Sequence, residues 1–175
     1  MQRAKHQVQN PVHTSPWVKP PTGMIKCNVH ATMFDNNTIM RYDMCFRNSL
    51  GQLLLGKSGF LLLIATVLEV EFIALLEFIK TTISNKMHIV LFETVYKSLV
   101  DTLASSIVPI SKFGNLVSQW SNLLSSNPNY IICFVKRQTN RIAHAIARAF
   151  LPHSNPSTFY DVPSIMYHSF INEIH

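Results

Sequence analysis

The stretch FLLLIATVLEVEFIALLEFI, residues 60–79, decides the fold. It has about the 20 apolar residues that a membrane span requires. Glu69, Glu71 and Glu77 interrupt it, and carboxylates are costly in a hydrocarbon core. The alternative is the end of a strand running into a core helix. From Ala65 onward, Leu68, Phe72, Leu75, Leu76 and Ile79 recur at helical spacing on one face, which leaves Glu69, Glu77 and Lys80 in water.

Towards the N-terminus, three runs read as strands, over about 52–61, 41–48 and 24–34. The Gly of SLGQ lets the chain turn between the 41–48 and 52–61 strands. In KCNVHATMFD, residues 26–35, Cys27, Val29 and Ala31 point one way and Asn28, His30 and Thr32 the other. Towards the C-terminus, MHIVLFE (87–93) is continuously apolar, as a strand covered on both faces would be. Helices follow over about 96–105 and 112–125, the second with Phe113, Leu116, Val117, Trp120, Leu123 and Leu124 on its apolar side. Asn127 and Pro128 break the chain before a strand at 129–136. A last helix begins near Asn140, with Ile142, Ala145, Ile146, Ala149 and Phe150 inward and Arg141, His144 and Arg148 outward.

The order β-β-β-α-β-α-α-β-α predicts an α/β domain over 24–151, a five-stranded mixed sheet with helices on both faces. Residues 1–23 are polar and carry Pro11, Pro16, Pro20 and Pro21, so they read as an arm or linker, attached to a longer architecture. Residues 152–175 read as a tail that drapes over the domain or stays mobile.

At 175 residues and 47% hydrophobic, the chain fits one domain with ample core material, which excludes disorder throughout. Fifteen Lys and Arg against nine Asp and Glu leave +6, compatible with a phosphate-bearing partner or with a merely solubilising surface. Cys27, Cys45 and Cys133 form no C-x-x-C pair, so they read as reduced, buried thiols rather than a zinc site. The opening MQRAKHQVQNP has no apolar segment and is not a secretory signal, so a nuclear or cytoplasmic location is expected. No Ser-His-Asp order or Gly-rich nucleotide loop stands out.

Together, WVKPPTGMIKCNVH, CFRNSLGQLL, EVEFIALLEFI, IVLFETVYKSLVDTL and FVKRQTNRIAHAIARAF resemble the type 1 ribonuclease H-like domain of plant proteins related to non-LTR retroelement reverse transcriptases. The likeness covers about residues 17–163, in order and at matching separations. It implies the ribonuclease H-like fold, and an activity that cuts the RNA strand of an RNA-DNA hybrid with Mg²⁺ or Mn²⁺. Two dications about 4 Å apart repel unless several carboxylates surround them, so each acid of the family has to be sought in this chain.

The first acid belongs to a pattern like N-V-D-A, where this chain has Asn28-Val29-His30-Ala31. Imidazole cannot supply the anionic oxygen that Mg²⁺ prefers. The second, in A-E-A-x-A-L, is retained as Glu71 of VEFIAL. The third, in F-E-S-D-S-K, falls on Val95 of FETVYK, which has no ligand atom. The fourth position, in N-R-x-A-D/H, is His144, and histidine occurs there in some relatives. Glu71 is thus the one acid kept, and alone it would hold a metal only weakly.

Two forms of rescue are open: recruitment of Glu93, Asp35 or Asp43, or a Zn²⁺ or Mn²⁺ site made of His30, Glu71 and His144. Arg41, Tyr42 and Asp43 stand where relatives carry Gly, so they either fill space near a substrate groove or mark a groove that no longer needs to be open. Tyr96 could cover the place of the missing acid, Glu69 could sit at the groove rim, and Trp17 could pin the arm to the sheet.

Lys136, Arg137, Arg141 and Arg148 form a basic loop and helix face, with Asn140 placed to cap that helix. Such a patch either meets phosphates or is an ordinary solvated face. The reading that follows is a nucleic-acid-binding ribonuclease H-like domain with its hydrolytic centre largely erased. The alternatives are an active hybrid endoribonuclease with rearranged ligands, and a structural or protein-interaction remnant.

Overall fold

The computed structural model describes residues 8–9, 17–34, 38–105, 111–137, 140, 145 and 156–168. In chain order the elements are β1 (Val8–Gln9), β2 (Ile25–Phe34), β3 (Ile39–Arg47), β4 (Leu53–Leu62), α1 (Val67–Ser84), β5 (Val90–Thr94), α2 (Lys97–Ala104), α3 (Lys112–Ser126), β6 (Tyr130–Phe134) and β7 (Ser157–Phe159). The residue 60–79 stretch divides as its carboxylates require, into the end of β4 and most of α1. No helix among the described residues is long and apolar enough to cross a membrane.

The sheet order is β1-β6-β5-β2-β3-β4-β7. The strands β2, β3 and β4 are antiparallel, whereas β5 joins β2, and β6 joins β5, in parallel. The five predicted strands are therefore the centre of a sheet of seven. Both additions come from segments read as irregular: Val8–Gln9 pairs with Ile132–Cys133, and Ser157–Phe159 pairs with Gly56–Ser58. Short edge strands of this kind have no amphipathic period to betray them, because pairing with an existing edge is what orders them. The Phe159 ring lies where a Cβ on Gly56 would be, 2.0 Å from its Cε2, so this docking requires glycine.

The predicted turn at SLGQ is real. Gly51 has φ +85°, and Asn48 Oδ1 accepts from the backbone N–H groups of Leu50 and Gln52, both at 3.0 Å. Thr66 opens α1 through a capping box: Glu69 Oε2 accepts from Thr66 N at 2.8 Å, and Glu69 N donates to Thr66 Oγ1 at 3.3 Å. Glu69 thus serves as a helix cap.

Pleat parity divides the sheet into two chemically different faces. One packs under α1, α2 and α3, with Val29, Met44, Phe92 and Ile132 against Phe72, Leu75, Phe78, Trp120 and Leu124. Trp120 Nε1 donates to Phe72 O at 3.1 Å, which joins α3 to α1. The other face carries a smaller apolar cluster of Cys45 and Met166, joined by Leu53, Phe159, Val162 and the helical Ala145. It is otherwise polar: Lys26, Asn28, Asp43, Arg47, Ser58 and Glu93 are all buried. All three cysteines are buried and free, as their spacing implied.

Tyr42 has a different place from the groove position considered above. It lies inside β3, buried across from Gly59 and edge-on to Phe78 at 6.1 Å, so it fills core on the helical face. Arg41 and Asp43 point to the opposite face, where Arg41 Nη2 donates to Ser58 Oγ at 2.9 Å.

Candidate functional site

Past Asn28, β2 runs on beyond the last residue of β5 that pairs with it, Glu93. The backbone carbonyls it offers on that side need other donors. Asn140, fully buried, donates Nδ2 to Val29 O at 2.7 Å, and the Tyr96 hydroxyl donates to Ala31 O. His30, half-buried, lies between these two anchored carbonyls. Asn140 was expected to cap a helix whose first turn lies outside the described residues; its amide ties the chain after β6 to the middle of β2. The Tyr96→Phe variant should lose about 1–2 kcal/mol in urea unfolding, since Ala31 O would forfeit its donor in a part-buried place.

Val95 leaves β5 half-buried, two residues past Glu93, where the pairing with β2 ends. Val95, Phe134, Lys136 and Arg137 line an open cleft of about 590 Å³. Both cations are exposed. Glu71 sits on the inward side of α1, 5% exposed, with Oε2 buried and lacking a hydrogen-bond partner among the described residues. Burial pushes its carboxyl up to about 8. Burial also pushes the Tyr96 phenol up to about 12; the nearby Glu71 charge acts in the same sense, and the Ala31 carbonyl and Arg137 oppose it. Glu71, Tyr96 and Arg137 are therefore electrostatic neighbours. The remaining candidates Asp35, Arg141, His144 and Arg148 lie outside the described residues.

Glu93 is not available for recruitment as a ligand. Its Oε1 is 2.7 Å from Lys26 Nζ, and its Oε2 accepts from Asn28 Nδ2 at 2.7 Å. Lys26 Nζ also donates to Val18 O at 2.5 Å, and Arg47 Nη2 donates to Asn28 Oδ1 at 2.6 Å. The Arg47 guanidinium stacks 3.5 Å from the centre of the Trp17 ring, with Lys26 Nζ at 5.3 Å. Trp17 thus anchors the entering segment on a buried chain of charges. That network was not foreseen from the sequence, although the period-2 polar pattern of β2 and β3 carried its signal.

Asp43 is not at a strand end, where a loop could swing it inward for recruitment. It is in the middle of β3, 0% exposed, in register with His30, and its Oδ1 is 3.7 Å from Arg41 Nε. Burial pushes its carboxyl up to about 6, against the opposing pull of Ser58 and Arg41.

The donors do not fit two hard dications. Val95 offers nothing, His30 offers imidazole, Glu71 is held in a place that favours its neutral form, and both oxygens of Glu93 are engaged. Among the described residues no three of His, Cys, Asp and Glu converge as metal ligands do.

A reverse transcriptase-like family model matches residues 28–150. The fold is similar to RNase H1 isolated from compost by a metagenomic approach, at 14% identity and TM-score 0.61 over 74% of this chain and 99% of the other. It is equally close to RNase H1 from the halophilic archaeon Halobacterium salinarum, at 12% identity and TM-score 0.61 over 75% and 99%. The compost RNase H1 in complex with an RNA/DNA hybrid aligns at 14% identity and TM-score 0.55, over 73% and 98%. No curated protein matches the chain.

Proposed function

The chain belongs to the reverse transcriptase-like family, and from that premise we propose that it binds nucleic acid, with an RNA-DNA hybrid as the class of ligand, and has lost metal-dependent cutting. The observation that carries this reading is the replacement of an acidic centre by Val95, His30 and a buried Glu71 beside two exposed cations, Lys136 and Arg137. We assign it to the branch of plant proteins related to non-LTR retroelements on the five stretches quoted above.

Incubating a labelled hybrid with Mg²⁺ or Mn²⁺, beside a Glu71→Gln control, tests the loss of cutting. No cleavage above the control is expected; robust cleavage abolished by the substitution would mean a working enzyme with other ligands. Binding is expected to be weak and salt-dependent. Replacing Lys136 and Arg137 by Ala should flatten the dependence of log K on log salt by roughly 1–2, the effect of two lost phosphate contacts. An unchanged slope would favour the protein-interaction reading, which the exposed apolar side chains of Leu62, Ile64 and Val67 at the β4–α1 connection support.

A further inference from the structure

A metal-dependent cleft of this fold layers charge in a fixed order: protein carboxylates, then cations, then phosphate. Here two cations of the protein, Lys136 and Arg137, line the cleft. Val95 is neutral where a carboxylate is expected, and the nearest acid along β5, Glu93, faces Lys26 at 2.7 Å and so presents no unbalanced charge. Lys136 and Arg137 come two and three residues after β6 and stand exposed on the same cleft as Val95 and Phe134. The cleft, about 590 Å³, falls within the range of about 300–1,000 Å³ typical of small-ligand sites. It offers a half-buried aromatic and aliphatic floor with two cations beside it.

We propose that this cleft holds a nucleic-acid strand without any metal, the phosphate lying directly on Lys136 and Arg137 and a sugar or base resting on Phe134 and Val95. This deepens the nucleic-acid-binding reading above and rests on it. Two consequences separate it from ordinary family behaviour. Mg²⁺ should compete with the two cations for phosphate, so it weakens binding instead of supporting it. An acid at position 95 should oppose the phosphate unless a cation bridges them, so the Val95→Asp variant ought to lose affinity without Mg²⁺ and regain part of it with Mg²⁺.

The test is binding of a fluorescent RNA-DNA hybrid to the full chain at low salt, once with chelator and once with millimolar Mg²⁺. Affinity in chelator equal to or above that in Mg²⁺ is expected, with a loss on the order of tenfold in a Lys136→Ala, Arg137→Ala double variant. Lys80→Ala, which removes an exposed lysine from α1, should change little. The double variant alters only exposed side chains, so it stays informative should Val95→Asp misfold. Binding that appears only with Mg²⁺ would overturn the inference. So would metal-free binding indifferent to the double variant, although nucleic-acid binding would then stand. Absence of binding in both conditions would remove both readings together.

Discussion

Replacing Lys26 by Met is expected to destabilise the protein by about 3–5 kcal/mol, measured as a shift in the urea midpoint. Lys26 and Glu93 are 6% and 7% exposed, and their 2.7 Å contact compensates the charge on Glu93 Oε1. Removing the ammonium leaves a carboxylate out of water with Asn28 as its remaining neighbour on that strand. Val18 O loses its donor at the same time, and Trp17 loses one of two cations over its ring. The segment around Trp17 should therefore become easier to cleave by protease than the sheet itself. Adding Glu93→Gln to Lys26→Met should restore most of the loss, because the penalty belongs to the unpaired charge. A single variant as stable as the parent would mean that water reaches Glu93, and the argument that both of its oxygens are engaged would fail with it.

The second large effect is a pH dependence. Glu71 titrates near its ordinary 4.5 in the unfolded chain and near about 8 in the folded one. Between those values the native state keeps a proton that the unfolded chain releases, so stability is full below about pH 4.5 and declines as pH rises through about 8. The buried position makes this worth roughly 2–4 kcal/mol by about pH 9. Glu71→Gln keeps the shape and cannot ionise, so it should match the parent near pH 5 and exceed its stability near pH 9, with pH values set at about those points. A residual decline between 3.8 and about 6 should persist in the variant, because Asp43 is raised in the same direction by its own burial. Coincident profiles for parent and variant would show that Glu71 ionises freely. The one acid kept from the family pattern would then be a competent ligand after all.

Much of this was legible in the chain itself. The carboxylates of residues 60–79 argue against a membrane span and place a strand-to-helix junction, and the Thr66–Glu69 capping box is written in the sequence as T-V-L-E. The loss of a donor at position 95 needs no coordinates, because valine has no ligand atom in any conformation. The roles of Glu93, Asp43 and Asn140 were not legible. Each is a polar residue whose partner is remote: Asn140 bonds a carbonyl 111 positions away, and Glu93 meets Asn28 across 65. Linear patterns report which residues share a face, and they carry no information on which distant group will face them.

The order of elements, the amphipathic stripes, the turn at Gly51 and the chemical poverty of positions 30 and 95 follow from local preferences, and local preferences depend on near neighbours alone. Tertiary structure decided which sheet face became a buried polar layer, that Trp17 would lie on Arg47, and that Glu71 would lose its water. Those outcomes depend on desolvation, which is a property of the assembled layers: a carboxylate acquires its charge state only when the fold determines how much solvent and which cations remain beside it.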